Sequence, residues 1–328
     1  MQKKQVVVYR ALPPDVEADL ASRFELSCFA RVTDENRAAF LDATARAHGL
    51  IGASLPLGEA ELARAHDLQV VSTVSAGYDT IDLDYLNRRG ILLAHTPDAL
   101  TETTADTVFA LILSSARRVV ELAAYVKAGR WRKSIGEELF GVDVHGKTLG
   151  LIGLGRIGLA VARRAHLGFG MRIVYHNLDA VAEADTRFAA QRLPLDAVLA
   201  GSDFVCVVLP LTAQTEGMIG AREFALMRRE AIFINGSRGR IVDEAALIEA
   251  LRAGRLRGAG LDVFAHEPLA ADSPLLAMDQ VVALPHIGSA THETRHAMAR
   301  MAADNLIRAL EGRRPAALAN PRLWRDAD

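Results

Sequence analysis

The chain is poor in the features that would place it in several common classes. Its 328 residues include only two cysteines, Cys28 and Cys206, too few for a disulfide framework. Both lie in apolar or mixed runs and are expected as buried core thiols. An excess of either charge is also lacking, since 38 Lys and Arg against 40 Asp and Glu leave a formal net charge of −2. That balance gives no electrostatic footprint for nucleic acid or an acidic membrane. No apolar run approaches the roughly 18 residues of a membrane span. The run after the basic opening Met1-Gln2-Lys3-Lys4 is too short for a secretory signal. A soluble, cytoplasmic protein is expected. There is no internal repeat and no low-complexity tract. What is present is a 50% hydrophobic composition and a length that suits about two domains.

The most informative stretch is Thr148-Leu149-Gly150-Leu151-Ile152-Gly153-Leu154-Gly155-Arg156-Ile157-Gly158. An apolar run suited to a buried strand meets a glycine cluster. The cluster opens a helical pattern with Ile157, Val161, Ala165 and Leu167 among its apolar positions. Gly153, Gly155 and Gly158 spell G-x-G-x-x-G in the strand-turn-helix context of the dinucleotide fingerprint. Gly153 permits the turn, Gly155 lets backbone approach a pyrophosphate, and Gly158 lets the helix lie on the strand. Helix N–H groups then face the phosphates.

Read in order, the chain alternates strands and helices, the sign of parallel sheets with helices on their faces. Strands are expected at Val6–Tyr9, near Leu50-Ile51, at Leu68–Val74 and at Ile91–Leu93, with helices from Pro13-Pro14 to about Phe24 and from Glu59 to His66. A single long helix is expected from Thr101 to Gly129, followed by an irregular segment from Trp131 to His145. Further strands are expected at Met171–Tyr175, Asp203–Leu209, Ala231–Asn235, Gly260–Val263 and Val281–Leu284. Helices should include Ala221–Arg228, Asp243–Ala253 and Thr291–Leu310. This is a doubly wound Rossmann sheet, and its ligands sit at the carboxyl ends of the strands.

Three chemically capable residues follow such ends. Arg238 follows Ala231–Asn235, Glu267 follows Gly260–Val263, and His286 follows Val281–Leu284. Singly, each could be a surface arginine, a solvated glutamate or a capping histidine. Together they suit carbonyl reduction. Hydride delivery to a ketone leaves an alkoxide that needs a proton, which an imidazolium can give. A carboxylate beside it favours the charged form, and a guanidinium can hold a substrate carboxylate bidentately.

Over essentially its whole length the chain resembles the D-2-hydroxyacid dehydrogenase family, and within it the bacterial glyoxylate/hydroxypyruvate reductases that also reduce 2-ketogluconate. The stretches that carry the resemblance are Ser75-Ala76-Gly77-Tyr78-Asp79, Leu100 to Asp106, the glycine fingerprint, Gly236-Ser237-Arg238-Gly239 with Val242-Asp243-Glu244, Gly260 to Phe264, and Pro285 to Thr294. It implies a Rossmann domain at 101–290 and a smaller flavodoxin-like α/β substrate domain at 1–100 completed by 291–328, with the active site in the cleft between them. It implies Arg238, Glu267 and His286 as the catalytic residues and a substrate carboxylate held by Arg238 and the backbone N–H groups of Ala76 and Gly77. Thr104 and Asp262 match cofactor-contacting positions, Asp262 through the nicotinamide amide. Arg156, Ile157, Leu209, Pro210, Thr215, His286 and Gly288 complete the expected cofactor set with the three glycines, His176 and Asn177. Family members are usually dimers, here through 101–145. No metal is expected.

The chain departs from the family pattern in three places. Ala76 stands where valine is common, which a backbone contact tolerates. Ser237 and Arg240 replace the usual alanine and proline around Arg238, and Arg240 either alters substrate preference or faces solvent. At the end of the second Rossmann strand, His176 stands where an NAD site usually has an acid, and Leu178 where NADPH-preferring relatives have arginine. The missing acid favours NADP(H) over NAD(H), with Arg156, His176 and Asn177 available to a 2′-phosphate, while Asp179 could contact the ribose.

Two readings of other classes stand beside this one. His292-Glu293-Thr294-Arg295-His296 spells the H-E-x-x-H of zinc hydrolases, without an evident third ligand beyond Asp304 and Glu311. A non-enzymatic NAD(H)-sensing protein would keep the fold but not need Arg238, Glu267 and His286 together.

Overall fold

Short apolar runs become strands buried on both faces, the usual condition of parallel sheets. The computed structural model describes residues 3–325, so Met1 and Gln2 of the basic opening and 326–328 of the tail lie outside the described residues. Contacts divide the chain into two units, Met1–Leu100 with Thr291–Asp328, and Thr101–Ala290.

The first unit holds a five-stranded sheet of β1 (Gln5–Val8), β2 (Glu25–Cys28), β3 (Gly49–Gly52), β4 (Val70–Thr73) and β5 (Leu92–Ala94), ordered β2-β1-β3-β4-β5. All of its pairings are parallel. This is the flavodoxin-like order. One face packs Val6, Val8, Ile51 and Val70 against Val16 and Leu20 of the Pro14–Arg23 helix and Ala302, Ala303 and Leu306 of the His292–Leu310 helix. Tyr9, Phe40, Leu50, Leu62, Val71 and Leu86 form the core on the other face.

The second unit holds β6 (Thr148–Ile152), β7 (Arg172–His176), β8 (Gln191–Arg192), β9 (Phe204–Val207), β10 (Ile232–Asn235), β11 (Gly258–Leu261) and β12 (Val281–Ala283). Their order, β12-β11-β10-β9-β6-β7-β8, is again parallel throughout. The order reverses between β6 and β9, the switch point at which doubly wound sheets bind ligands. The expected fold class, two parallel α/β sheets of which one is a Rossmann sheet, is present.

Several expectations change. The helix from Thr101 does not run to Gly129 but ends at Ala116, and a second helix spans Val119–Lys127. The break is Arg118, whose φ of 53° is left-handed. Its guanidinium holds Glu121 at 2.6 Å and donates to the Glu138 carbonyl, also at 2.6 Å. Val142 N–H donates to the Ala116 carbonyl that the break exposes. Arginine is a good helix former, so this break is set by tertiary contacts. Leu167 is not an apolar-face residue but 67% exposed. Two residues beyond Ala165 is roughly 200° round the helix, and a wider π turn spans Arg164–Gly168. Cys206 is buried as expected, but Cys28 is exposed, because β2 is the edge strand of its sheet and only partly covered. Helices at Arg37–Thr44 and Leu83–Arg89 carry no expectation from the sequence, whereas Ala182–Phe188 and Leu195–Gly201 fall between the expected Met171–Tyr175 and Asp203–Leu209 strands, where the alternating pattern calls for helix.

Candidate active site

The glycine turn is built as the sequence suggests. Gly153 has φ 93°, and a side chain there would come within 2.8 Å of the Val208 carbonyl and 2.7 Å of Leu209 Cβ. The turn therefore presses on the end of β9, and Gly153 N–H donates to the His176 carbonyl at the end of β7. Gly158 packs as tightly, 2.7 Å from the Gly153 carbonyl to a notional Cβ, so the Arg156–Arg163 helix sits directly on the turn. Gly155 differs, because a Cβ there would meet nothing within 4 Å. One glycine of the motif thus faces open space while two are packed, which fits a pyrophosphate laid against the helix N-terminus. Arg156 is exposed, whereas Ile157 packs on the core, leaving its backbone for any ligand contact.

Leu209 and Pro210 follow β9. Thr215 closes the turn after them, its hydroxyl donating to the Pro210 carbonyl at 2.8 Å and accepting Thr212 N–H at 2.8 Å. At the end of β7, His176 Nδ1 lies 3.3 Å from the Leu193 carbonyl. A carbonyl accepts only, so Nδ1 carries the proton and Nε2 is left for a ligand. Asn177 Nδ2 donates to the Asp179 carbonyl at 3.2 Å. Sequence reasoning overlooked Arg192 of β8. Its Nε donates to the Asn177 carbonyl at 3.1 Å, and its Nη2 donates to that of Leu178. A guanidinium therefore lies against the loop whose own sequence carries no arginine. Its signal was the strand pairing of Tyr175 with Arg192, which composition does not reveal.

At the end of β10, Asn235 is 1% exposed and staples the next turn. Its Oδ1 accepts Ser237 N–H and the Ser237 hydroxyl, both at 3.1 Å, and its Nδ2 donates to the Arg238 carbonyl at 3.0 Å. Arg238 Nη1 donates to the Ser237 carbonyl at 2.9 Å. Gly239 has no room for a side chain, since a Cβ would lie 1.8 Å from the Phe264 carbonyl carbon. Arg240 points away into an exposed ion pair with Glu216 at 2.6 Å.

The histidine and the glutamate meet. His286 Nδ1 lies 2.8 Å from Glu267 Oε2, and Glu267 Oε1 accepts Phe264 N–H at 3.0 Å. Burial alone would raise the Glu267 carboxyl. The His286 hydrogen bond, the Phe264 N–H and the nearby charges of His286 and Arg238 outweigh it and hold the group below the usual carboxylate range. His286 itself has φ 54°, a strained value for a residue with a Cβ. Asp262, 3% exposed, holds the backbone that follows: Oδ1 accepts Ile287 N–H at 2.7 Å and Oδ2 accepts Gly288 N–H at 2.8 Å. Burial pushes the Asp262 carboxyl up, against the downward pull of those two N–H groups. Both of its oxygens thus serve the turn that presents His286. Thr104 lies beside this turn, 3.2 Å from a notional Gly288 Cβ.

In the first unit, Ala76 and Gly77 follow β4 in a half-buried loop. The H-E-x-x-H histidines lie on the His292–Leu310 helix of that unit. His296 Nε2 is 3.0 Å from Asp15 Oδ2, which also takes Arg300. Among the described residues no group of three or more His, Cys, Asp or Glu is placed to hold a metal ion.

Comparison with known proteins points to one family. Residues 109–288 match the D-isomer specific 2-hydroxyacid dehydrogenase, NAD binding domain. The chain is 54% identical over 310 residues to glyoxylate/hydroxypyruvate reductase B of Enterobacter sp. (strain 638), covering 94% of this chain and 96% of that one. It is 51% identical to the protein of the same name from Yersinia enterocolitica, over 99% of this chain and 100% of the other. Among solved structures, a protein from Thermus thermophilus superposes with TM-score 0.88 at 42% identity, covering 96% of this chain and 99% of its own. An NADPH-dependent glyoxylate/hydroxypyruvate reductase from Sinorhizobium meliloti, solved with NADP and malonate, gives TM-score 0.87 at 31% identity with both chains fully covered.

Proposed function

We propose that this chain, which belongs to the D-isomer specific 2-hydroxyacid dehydrogenase family, reduces small 2-keto acids to 2-hydroxy acids with a nicotinamide cofactor. Glyoxylate and hydroxypyruvate are the expected substrates, as the names of its relatives suggest, with 2-keto-D-gluconate a further one. The observation that carries the reading is the His286–Glu267 pair at 2.8 Å, at the ligand end of the Rossmann sheet.

A nicotinamide held at this sheet would supply the hydride. With Nδ1 engaged by Glu267, His286 gives its Nε2 proton to the substrate oxygen as negative charge develops there. Glu267 orients the ring and balances the imidazolium. Arg238 takes the substrate carboxylate and polarises the adjacent carbonyl, and the N–H groups of Ala76 and Gly77 are the further carboxylate donors that the family resemblance implies.

NADP(H) is the preferred cofactor on this reading. No acid stands at His176 to repel a 2′-phosphate, and Arg192 adds a cation to Arg156, His176 and Asn177. A homodimer through 101–145 is supported by an exposed apolar set there, Val119, Val120, Val126, Trp131 and Phe140, each at least 51% exposed. Light scattering that gave the mass of one chain would remove the dimer. The reaction is tested by a panel of 2-keto acids with NADPH and NADH. Turnover of glyoxylate and hydroxypyruvate is expected, and no turnover of any member would overturn the reading.

A further inference from the structure

Three successive carbonyls in the loop after β4 are tied back by the protein. The Ser75 carbonyl accepts Thr96 N–H at 2.9 Å, the Ala76 carbonyl takes His95 Nδ1 at 2.9 Å, and the Gly77 carbonyl accepts the Ser75 hydroxyl at 2.6 Å. Thr73 Oγ1 lies 2.7 Å from Ser75 Oγ and holds that hydroxyl in turn. With the carbonyls committed one way, the N–H groups of Ser75, Ala76, Gly77 and Tyr78 donate to no acceptor among the described residues. Successive unpaired N–H groups in one turn make an anion-binding nest.

His95 is itself held on two sides. It follows β5, its carbonyl accepts the Asn305 side-chain amide at 3.2 Å, and its ring meets Tyr78 edge-on with centroids 5.4 Å apart. A carbonyl accepts only, so Nδ1 must be the protonated nitrogen facing Ala76.

We propose that His95, with Ser75, is a positioning residue that fixes the Ser75–Tyr78 loop with its N–H groups turned toward the carboxylate of the 2-keto acid. Neither side chain touches the substrate; both act through the peptide planes they hold. The inference rests on the reductase reading, because that reading supplies the carboxylate.

The test compares wild type with His95→Leu, His95→Asn and Ser75→Ala. Two quantities are read: steady-state glyoxylate reduction at saturating NADPH, and calorimetric binding of oxalate to the cofactor-loaded protein. His95→Leu should raise both KM for glyoxylate and Kd for oxalate by about tenfold, with kcat within about twofold of wild type. His95→Asn, whose amide N–H can reach the same carbonyl, should bring both back to within about threefold of wild type. Ser75→Ala should raise both by about threefold, and this arm decides the matter should His95→Leu fail to fold. Unchanged KM and Kd in the variants of an active wild type would overturn this inference alone. So would equal losses in His95→Leu and His95→Asn, which mark general packing. A wild type that turns over no 2-keto acid would overturn the reductase reading and this inference with it.

Discussion

His286 and Glu267 are joined by a 2.8 Å hydrogen bond from ring Nδ1 to carboxylate Oε2, across 19 residues of sequence. The bond fixes which nitrogen faces a substrate. It also ties a proton donor to a carboxylate that stays charged below the usual range.

Glu267→Gln keeps the shape of that contact and removes the charge. The charge that balances the proton donor is then gone, so kcat/KM for reduction should fall and its pH profile should differ from that of wild type. Stability should change on the acid side. A depressed Glu267 contributes stability that is fully present above the unfolded value of 4.5 and is lost as pH falls through the lower folded value. Thermal unfolding as a function of pH should therefore show a shallower acid-side loss in Glu267→Gln than in wild type. Superimposable pH–rate profiles for the two proteins would count against the pairing.

Arg238 is expected to hold a carboxylate through both arms of its guanidinium. Arg238→Lys should raise KM and lower kcat, a combined loss of about 3 kcal/mol in transition-state binding, because an ammonium cannot reproduce the planar fork. Wild-type kcat/KM in this variant would remove Arg238 from the substrate site.

Cofactor choice is tested at the ends of β7 and β8. His176→Asp should weaken NADP binding more than NAD binding, since a carboxylate there repels a 2′-phosphate. Arg192→Gln should raise Kd for NADP by about tenfold or more and leave that for NAD near wild type. Equal changes for both nucleotides would assign Arg192 to loop structure only, and a wild-type preference for NAD would end the NADP(H) reading.

His296 is paired with Asp15 and lies in the unit that does not contain His286. Chelator treatment and His296→Ala are both expected to leave glyoxylate reduction unchanged. Activity lost to the chelator and restored by zinc would contradict this.

What could be read from the sequence follows from burial. Strands β3, β4, β6, β9 and β10 are covered on both faces and appear as uncharged, largely apolar runs. Glu25–Cys28 was missed because an edge strand needs no such run, and Cys28 was placed inside for the same reason. Arg238, Glu267 and His286 were visible because parallel topology puts strand ends on one rim of the sheet. The supports of the site were not. Asp262 reaches the His286 turn, Asn235 staples the Arg238 turn, and His95 holds Ala76 through hydrogen bonds that leave no periodic or compositional trace. The break at Arg118 was hidden likewise, because its causes are Glu138 and Val142, more than a helix length downstream.

The central claim is that His286 delivers the proton in 2-keto acid reduction. The most direct measurement is kcat/KM for hydroxypyruvate with NADPH in wild type and His286→Asn, alongside NADPH binding to each. The account predicts turnover by wild type, a loss of about 10²–10⁴-fold in the variant, and cofactor affinity little changed. A variant that reduces hydroxypyruvate as fast as wild type would contradict it.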